Sequence, residues 1–213
     1  MVNIFIGIDQ SINSTGVTVQ VDGIEDKNFY IISGSTKLTA KEQKAQNTYN
    51  NFKYVLYDKH DTKLAKDNHE AEIFKTYNLI NISRTIIGII SYYVKQFDKC
   101  NVYVCMEGIS YQSAQTKSIM DLAGLNYIIR YDLLRYFEHS PEGIDKVYKY
   151  SVIVATPGEI KKFASGNGSA KKEVMIKLFE SIFPNLYLIP KIDDIADSYW
   201  MSQYVKAITL NQS

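Results

Sequence analysis

Three short apolar runs stand close together at the start of the chain, and their spacing limits the fold more than any other feature. The runs are NIFIGID, VTVQV and NFYIIS, at residues 3–9, 17–21 and 28–33. Turn-forming residues separate them, which is typical of an antiparallel meander of three strands. The first run ends in Asp9, so the sheet is expected to carry a carboxylate at the end of a strand.

Longer segments with helical spacing then alternate with two more apolar runs. Hydrophobic residues recur every three or four positions over 73–97 and 115–137, as on the buried face of an amphipathic helix. The strand-like runs NVYVCM and KYSVIVA follow these two helices, and shorter helices are expected over 158–164, 169–182 and 193–208. This order predicts a mixed α/β fold with one five-stranded sheet flanked by helices.

The length of the chain favours a single domain. The chain has 213 residues, which is enough for one well-buried core and too few for two domains of ordinary size. Residues 35–70 are polar and form a longer stretch than most loops in compact domains. We therefore expect one domain over 1–213, with an insertion at 35–70 that is partly ordered around the run YVLY.

Composition narrows the class of protein. The net charge is only +1, so any contact with nucleic acid needs a local basic patch. Cys100 and Cys105 are five residues apart on a predicted strand and point to opposite faces. We therefore expect two free thiols and a cytoplasmic protein. No stretch reaches the roughly 18 apolar residues of a membrane span, and the start lacks a signal-peptide pattern, so neither secretion nor a membrane location is expected.

Four carboxylates come from three parts of the chain that this fold can bring together. Asp9 and Glu107 each end a predicted strand, at the edge where α/β sheets form ligand sites. Asp194 and Asp197 share one face of the last helix, and Asp193 competes with Asp194 for this pairing. An ordinary turn or helix-start role also explains these acids, although it explains Asp197, which lies a turn further into the helix, less well. As a set without histidine or cysteine, they suit hard cations, Mg²⁺ or Mn²⁺.

A local basic patch follows the last predicted strand. Residues 156–178 contain five lysines and two glutamates. Gly166, Asn167 and Gly168 are expected to form a turn, and Ser169 to cap the next helix, whose first-turn amides could then meet a phosphate. Surface lysines on a solvated helix-turn-helix would give the same pattern, so this segment alone is weak evidence for binding.

Four motifs taken together resemble the RuvC family of Holliday junction resolvases, in the ribonuclease H-like superfamily. They are GIDQSINSTG at 7–16, CMEGISYQSA at 105–114, TPGEIKKFASGNGSAKKEV at 156–174 and DDIAD at 193–197. The motifs occur in the family's order and cover most of the chain outside the insertion. The third motif discriminates best, since it combines a proline, a lysine and the pattern Gly-Asn-Gly-x-Ala-x-Lys.

The resemblance implies a metal-dependent endonuclease. It places the metal-binding carboxylates on Asp9, Glu107, Asp194 and Asp197, and a catalytic cation on Lys172. It also implies two Mg²⁺ ions in each active site, for which Mn²⁺ would substitute. Contacts to DNA are implied for a further set, in which the tyrosine is the candidate wedge at the junction centre: Lys161, Lys162, Lys171, Asn167 and Tyr111.

The substrate implied by the resemblance is a four-way DNA junction, cut at two symmetric phosphodiesters by the two sites of a homodimer. The helix at 115–137 is apolar enough to offer the dimer face, although core packing explains the same residues equally well. A broader nuclease for flaps and forks and a non-catalytic binder of branched DNA remain alternatives. The richness in Asn, Lys, Ile and Tyr suits an AT-rich genome. The resemblance to resolvases, together with the insertion, implies a bacteriophage origin, for which the location would be the host cytoplasm.

Overall fold

The computed structural model describes residues 1–109 and 117–211. One sheet of six strands lies at its centre, in the order β4-β3-β2-β1-β5-β6. The strands are β1 (Val2–Asp9), β2 (Thr15–Val21), β3 (Asn28–Gly34), β4 (Phe52–Tyr57), β5 (Cys100–Glu107) and β6 (Val147–Ala155). β2 is antiparallel to both of its neighbours, and every other neighbouring pair is parallel. Five strands therefore end at the same edge of the sheet, which we call the carboxyl edge.

Helices cover both faces of the sheet. They are α1 (Ala40–Thr48), α2 (Asn68–Val94), α3 (Lys117–His139), α4 (Pro141–Lys146), α5 (Pro157–Ser165), α6 (Lys172–Ile182) and α7 (Ile192–Leu210). A short 3₁₀ helix at Thr62–Leu64 precedes α2. The helices α2 and α3 pack on one face, while α1, α5, α6 and α7 pack on the other. Within the described residues, no helix is both long enough and apolar enough to cross a membrane.

Two apolar cores follow from the alternation of side chains along the central strands. Ile4, Ile6 and Ile8 of β1 face the core under α2 and α3, whereas Phe5 faces the core under α7. On β5 the cysteines are divided in the same way: the buried Cys100 belongs to the first core and the buried Cys105 to the second. Both are free thiols, as their spacing predicted.

The expectation of a mixed α/β fold with one sheet flanked by helices is confirmed, but the expectation of five strands is wrong. The sixth strand, β4, comes from the polar stretch 35–70 and pairs in parallel with β3. Phe52, Tyr54 and Tyr57 of β4 are buried, so aromatic side chains supply the apolar contacts of this strand. The run YVLY therefore belongs to a complete strand of the sheet.

Candidate active site

Asp9 and Glu107 lie next to each other at the carboxyl edge. β1 and β5 pair in parallel with Ile8 opposite Met106, so the two acids are the next residues on adjacent strands. Neighbouring strands lie about 4.8 Å apart, which brings the two carboxylates within reach of one ligand. The backbone carbonyl of Glu107 accepts hydrogen bonds from Gln10 Nε2 at 2.7 Å and from Asn126 Nδ2 at 2.9 Å. These contacts hold the end of β5.

Two glycines allow α7 to lie directly on the sheet. A Cβ atom on Gly7 would stand 1.8 Å from the carbonyl oxygen of Ser198, and one on Gly16 would stand 2.2 Å from that of Asp194. No side chain fits at these distances, so glycine is required at both positions. Gly16 also pairs with Asp9 across β1 and β2. The start of α7 therefore lies over the end of β1, close to Asp9.

Buried polar side chains fix the position of α7 on β2. Thr18 Oγ1 and Ser198 Oγ are 2.8 Å apart, and Gln20 Nε2 donates to Ser202 Oγ at 2.5 Å. Gln203 Nε2 in turn donates to Gln20 Oε1 at 3.0 Å. Sequence reasoning missed these contacts. The available signal was the matched spacing of polar residues, two apart on the strand and four apart on the helix.

The neighbouring acids Asp193 and Asp194 have different partners. Lys172 Nζ lies 2.7 Å from Asp193 Oδ2, whereas Ser14 Oγ donates a hydrogen bond to Asp194 Oδ2. Of these two acids, it is Asp194 whose charge contributes to raising the pKa of Asp9. The structure therefore groups Asp194 with Asp9, and places Asp193 against the lysine. Ser14 is a site residue that sequence reasoning did not single out.

The four grouped carboxylates destabilise one another's charged forms. Burial, followed by the charges of Asp197, Asp194 and Glu107, raises the pKa of Asp9 well above its ordinary value. Burial and Asp197 likewise raise the pKa of Glu107. Burial also raises the pKa of Asp194, and it raises the pKa of Asp197 to about 6. A bound cation would relieve both the burial penalty and the repulsion.

Two lysines border these acids. A cavity of about 180 Å³ lies beside α5, α6 and α7, and its wall includes Glu107, Asp197, Lys161 and Lys172. Both lysines lower the pKa of Glu107. Burial lowers the pKa of Lys172, but the hydrogen bond to Asp193 and the charges of the surrounding aspartates raise it overall. A phosphate entering the cavity would therefore meet two ammonium groups next to the acidic cluster.

The other residues expected to contact DNA are not in this cavity wall. Lys162 and Asn167 are exposed around the turn between α5 and α6, and Lys171 is exposed immediately before α6. Tyr111 lies outside the described residues. The cavity wall at the carboxyl edge therefore contains Lys161 and Lys172. The other residues, Lys162, Lys171, Asn167 and Tyr111, stay predicted DNA contacts.

The expected helix cap at Ser169 is wrong. The N-cap of α6 is Lys171, and no side chain caps the helix. The Ala170 N–H donates to the Asn167 carbonyl at 3.1 Å, and the Ser169 N–H donates to Asn167 Oδ1 at 3.0 Å. This turn occupies 167–170, so the helix begins only after Lys171. The first amides of α6 consequently donate no hydrogen bond to a capping side chain.

The donor set fits a hard divalent cation by its chemistry. It consists of carboxylate oxygens with raised pKa values, and Gln10 Oε1 beside them is buried without a hydrogen-bond partner in the described chain. Across 1–109 and 117–211, no three acidic, histidine or cysteine side chains are arranged around a common metal position. Asp194 is turned toward Ser14, so binding would require side-chain rotation at that residue.

A stability measurement tests the burial of Asp197. The pKa of Asp197 rises from an ordinary 3.8 to about 6 on folding. The contribution of this carboxyl group to stability is therefore complete below pH 3.8 and is lost as the pH rises through 6. In the metal-free protein at pH 8, Asp197→Asn is expected to increase the free energy of unfolding by about 1–3 kcal/mol. Urea unfolding in EDTA, at pH 8 and near pH 4, measures this change in the free energy of unfolding. An equal gain near pH 4 would contradict the assignment.

No protein-family model and no curated protein matches the chain. A Thermus thermophilus RuvC structure is 17% identical, with 98% of this chain and 96% of that chain covered and a TM-score of 0.47. The chain is similar to RuvC in overall fold. The yeast mitochondrial Holliday junction resolvase is 12% identical, with coverage of 92% and 76% and a TM-score of 0.47. T. thermophilus RuvC in complex with a Holliday junction substrate is 12% identical, with coverage of 98% and 96% and a TM-score of 0.43.

Proposed function

We propose that the protein is a metal-dependent endonuclease that cuts four-way DNA junctions. The observation that carries the proposal is the grouping of Asp9, Glu107, Asp194 and Asp197 beside Lys172 at one edge of the sheet. Acids this close repel one another, and a cation offsets that repulsion. The resemblance of the four sequence motifs to the RuvC family supports the choice of a junction as substrate.

Each group has a part in the proposed reaction. Asp9 ends β1 and, with Glu107, Asp194 and Asp197, would hold the cations. When bound, two Mg²⁺ ions would activate the attacking water and stabilise the leaving 3′ oxygen in an in-line displacement. Lys172, which borders the cavity beside these acids, would bind the phosphate and offset the charge that it gains in the transition state.

A substrate comparison tests the proposal. Wild-type protein is incubated with a labelled four-way junction, a linear duplex, a flap and a fork, each with Mg²⁺, Mn²⁺ or EDTA. We expect metal-dependent paired nicks at symmetric positions in the junction and little cutting of the other DNAs. Equal cutting of flaps and forks would favour the broader branched-DNA nuclease. Tight binding of the junction without cutting in either metal would favour a non-catalytic binding protein.

The assignment of Lys172 leads to a separate prediction. Lys172→Ala is expected to slow single-turnover cutting by about 10² or more, while affinity for the junction falls only a few-fold because one phosphate contact among many contributes little to binding. Lys171→Ala is the matched control, since Lys171 is exposed and lies outside the cavity wall. Equal losses of affinity and rate in Lys172→Ala would show that this lysine only binds DNA.

We also propose a homodimer, with α3 as its contact. In the structure α3 has two apolar faces. Leu125, Ile129 and Leu133 are buried in the core, whereas a second set of side chains on this helix is between 43% and 75% exposed: Met120, Tyr127, Tyr131 and Leu134. These exposed residues follow the three- and four-residue spacing of one helix face. Pairing this face with a second copy would bury it. The dimer would then supply two active sites, one for each of the two junction strands that are cut.

Disruption of this face is expected to give a monomer. Tyr127→Glu combined with Tyr131→Glu places two carboxylates in the proposed contact, where both would have to be buried without a partner. The control is Tyr148→Glu, an equally exposed tyrosine on β6. Sedimentation equilibrium is expected to report a dimer for wild type and control and a monomer for the double variant. A monomeric wild type, or a dimeric double variant, would contradict the proposed contact.

A further inference from the structure

The stretch 35–66 carries a strong local charge that the metal site does not use. It contains seven lysines and three acidic residues, in a chain whose net charge is +1. Two of the acids are engaged locally: Glu42 accepts the Thr39 N–H at 2.8 Å, and Asp61 Oδ1 accepts the Lys63 N–H at 3.0 Å. None of the seven lysines forms an ion pair with any residue of the described chain. Their charge is therefore available to an anionic partner.

Most of these lysines lie in the two segments that follow β3 and β4. β3 and β4 end at the carboxyl edge, two and three strands from Asp9, which corresponds to about 10 and 14 Å. Lys37 follows the end of β3, and Lys59 follows the end of β4. A Cβ atom on Gly34, the last residue of β3, would stand 2.8 Å from Lys59 Cδ, so this side chain lies against the strand end. We call the lysines within nine residues of these two strand ends the edge lysines: Lys37, Lys41, Lys59, Lys63 and Lys66.

The first turn of α1 and the acidic cluster both act on one side chain of β4. Burial, and then the charges of Glu42 and Asp194, raise the pKa of Tyr54 on β4. Glu42 belongs to α1 and Asp194 to the acidic cluster, so both lie within electrostatic range of one phenol. Lys41 precedes Glu42 in the same turn, so one edge lysine belongs to this turn.

The backbone that carries the edge lysines is held by specific contacts. A capping box between Thr39 and Glu42 begins α1. After β4, the His60 N–H donates to Asn78 Oδ1 at 2.8 Å, and Asn78 Nδ2 donates back to the His60 carbonyl at 2.9 Å. Asn78 is buried in α2, and the His60 ring lies 5.2 Å from the ring of Phe74. The edge lysines are thus presented from an ordered part of the fold.

We infer that the five edge lysines bind the phosphate backbone of a duplex arm of the DNA that occupies the candidate active site. The inference rests on the proposed function, because it takes the arm to extend from the cleavage point along the carboxyl edge. Duplex DNA presents about one negative charge per 1.7 Å of its axis, so an arm crossing β3 and β4 offers several phosphates to these side chains. The stretch 35–66 would then enlarge the DNA-binding surface beyond the metal site.

Two matched triple variants test the inference. The edge variant is Lys59→Ser, Lys63→Ser and Lys66→Ser. The control variant is Lys44→Ser, Lys53→Ser and Lys149→Ser, which removes the same charge at exposed lysines that lack ion pairs and are not edge lysines. Dissociation constants for a four-way junction with long arms are measured in Mg²⁺-free buffer over a salt series. The single-turnover cutting rate is measured with saturating protein in Mg²⁺.

The edge variant is expected to bind the junction about tenfold more weakly than wild type. The slope of log K against log salt is expected to become shallower by about two to three. The control variant should stay within about twofold of wild type in affinity, and both variants should cut at the wild-type rate at saturation, since none of the substituted lysines lines the cavity beside the metal site. Equal affinity of the two variants, with a wild type that cuts, would overturn the inference. A wild type that never cuts, with affinity lost only in the edge variant, would support the inference and overturn the proposed function.

Discussion

Asp9→Asn is expected to abolish junction cutting while leaving junction binding nearly intact. The asparagine keeps the size of the side chain but removes the charge at the centre of the acidic cluster, where Asp197, Asp194 and Glu107 all act on Asp9. A neutral amide is a poor ligand for Mg²⁺, so we expect the single-turnover rate to fall by about 10³ or more. Binding should be unchanged or slightly stronger, because a charge that repels phosphate is removed.

The matched control for this prediction is Asp26→Asn. Asp26 is exposed in the turn between β2 and β3, at the opposite edge of the sheet. Cutting is followed in Mg²⁺ under single-turnover conditions, and binding by gel shift in EDTA. A variant of Asp9 that still cuts within a few-fold of wild type would remove this residue from the catalytic group. Parallel loss of binding and cutting would point to a misfolded variant, which circular dichroism distinguishes.

Gly16→Ala is expected to destabilise the protein and to disrupt the site together. The added methyl group would stand 2.2 Å from the carbonyl oxygen of Asp194 and 3.3 Å from its Cβ. Because the closest atom belongs to the backbone, α7 must move away from β2, and Asp194 and Asp197 move with it. We expect a loss of about 2–4 kcal/mol in the free energy of unfolding and a fall in cutting that exceeds any fall in the folded fraction.

Gly88→Ala provides the control for the effect of alanine itself. Gly88 is exposed in α2, and a Cβ atom there meets no atom within 4 Å. Alanine has a higher helix propensity than glycine, so this variant should gain about 0.5–1 kcal/mol. Urea unfolding and single-turnover cutting are measured for both variants. A Gly16→Ala protein as stable and active as wild type would show that α7 does not lie as close to β2 as the structure has it.

The positions of the acidic residues were largely predictable because each stands at the end of a regular element. Asp9 and Glu107 end apolar runs that form parallel neighbours, and such strands end at one edge. The choice between Asp193 and Asp194 was not predictable, since both lie in the first turn of α7. It depends on Lys172 and Ser14, which hold one acid each and are distant from α7 in sequence.

The structure of 35–70 was the largest omission of the sequence prediction. α1 buries only Ala45, so no apolar periodicity marks it, and the signal that remained was the capping box of Thr39 and Glu42. β4 adds to the edge of the sheet through the short run FKYVLY, in which Lys53 interrupts the apolar residues. Tertiary pairing with β3 stabilises such a strand more than its own propensity does, and a single sequence does not reveal that pairing.

Mn²⁺ binding to wild type and Asp9→Asn in the absence of DNA, followed by electron paramagnetic resonance of the free ion at pH 8, tests the metal site most directly. We expect two Mn²⁺ ions for each wild-type protomer and an affinity at least about tenfold lower in the variant. Addition of Mg²⁺ should displace the bound Mn²⁺. Equal Mn²⁺ binding by both proteins, or none by either, would contradict the claim that these four carboxylates form a metal site.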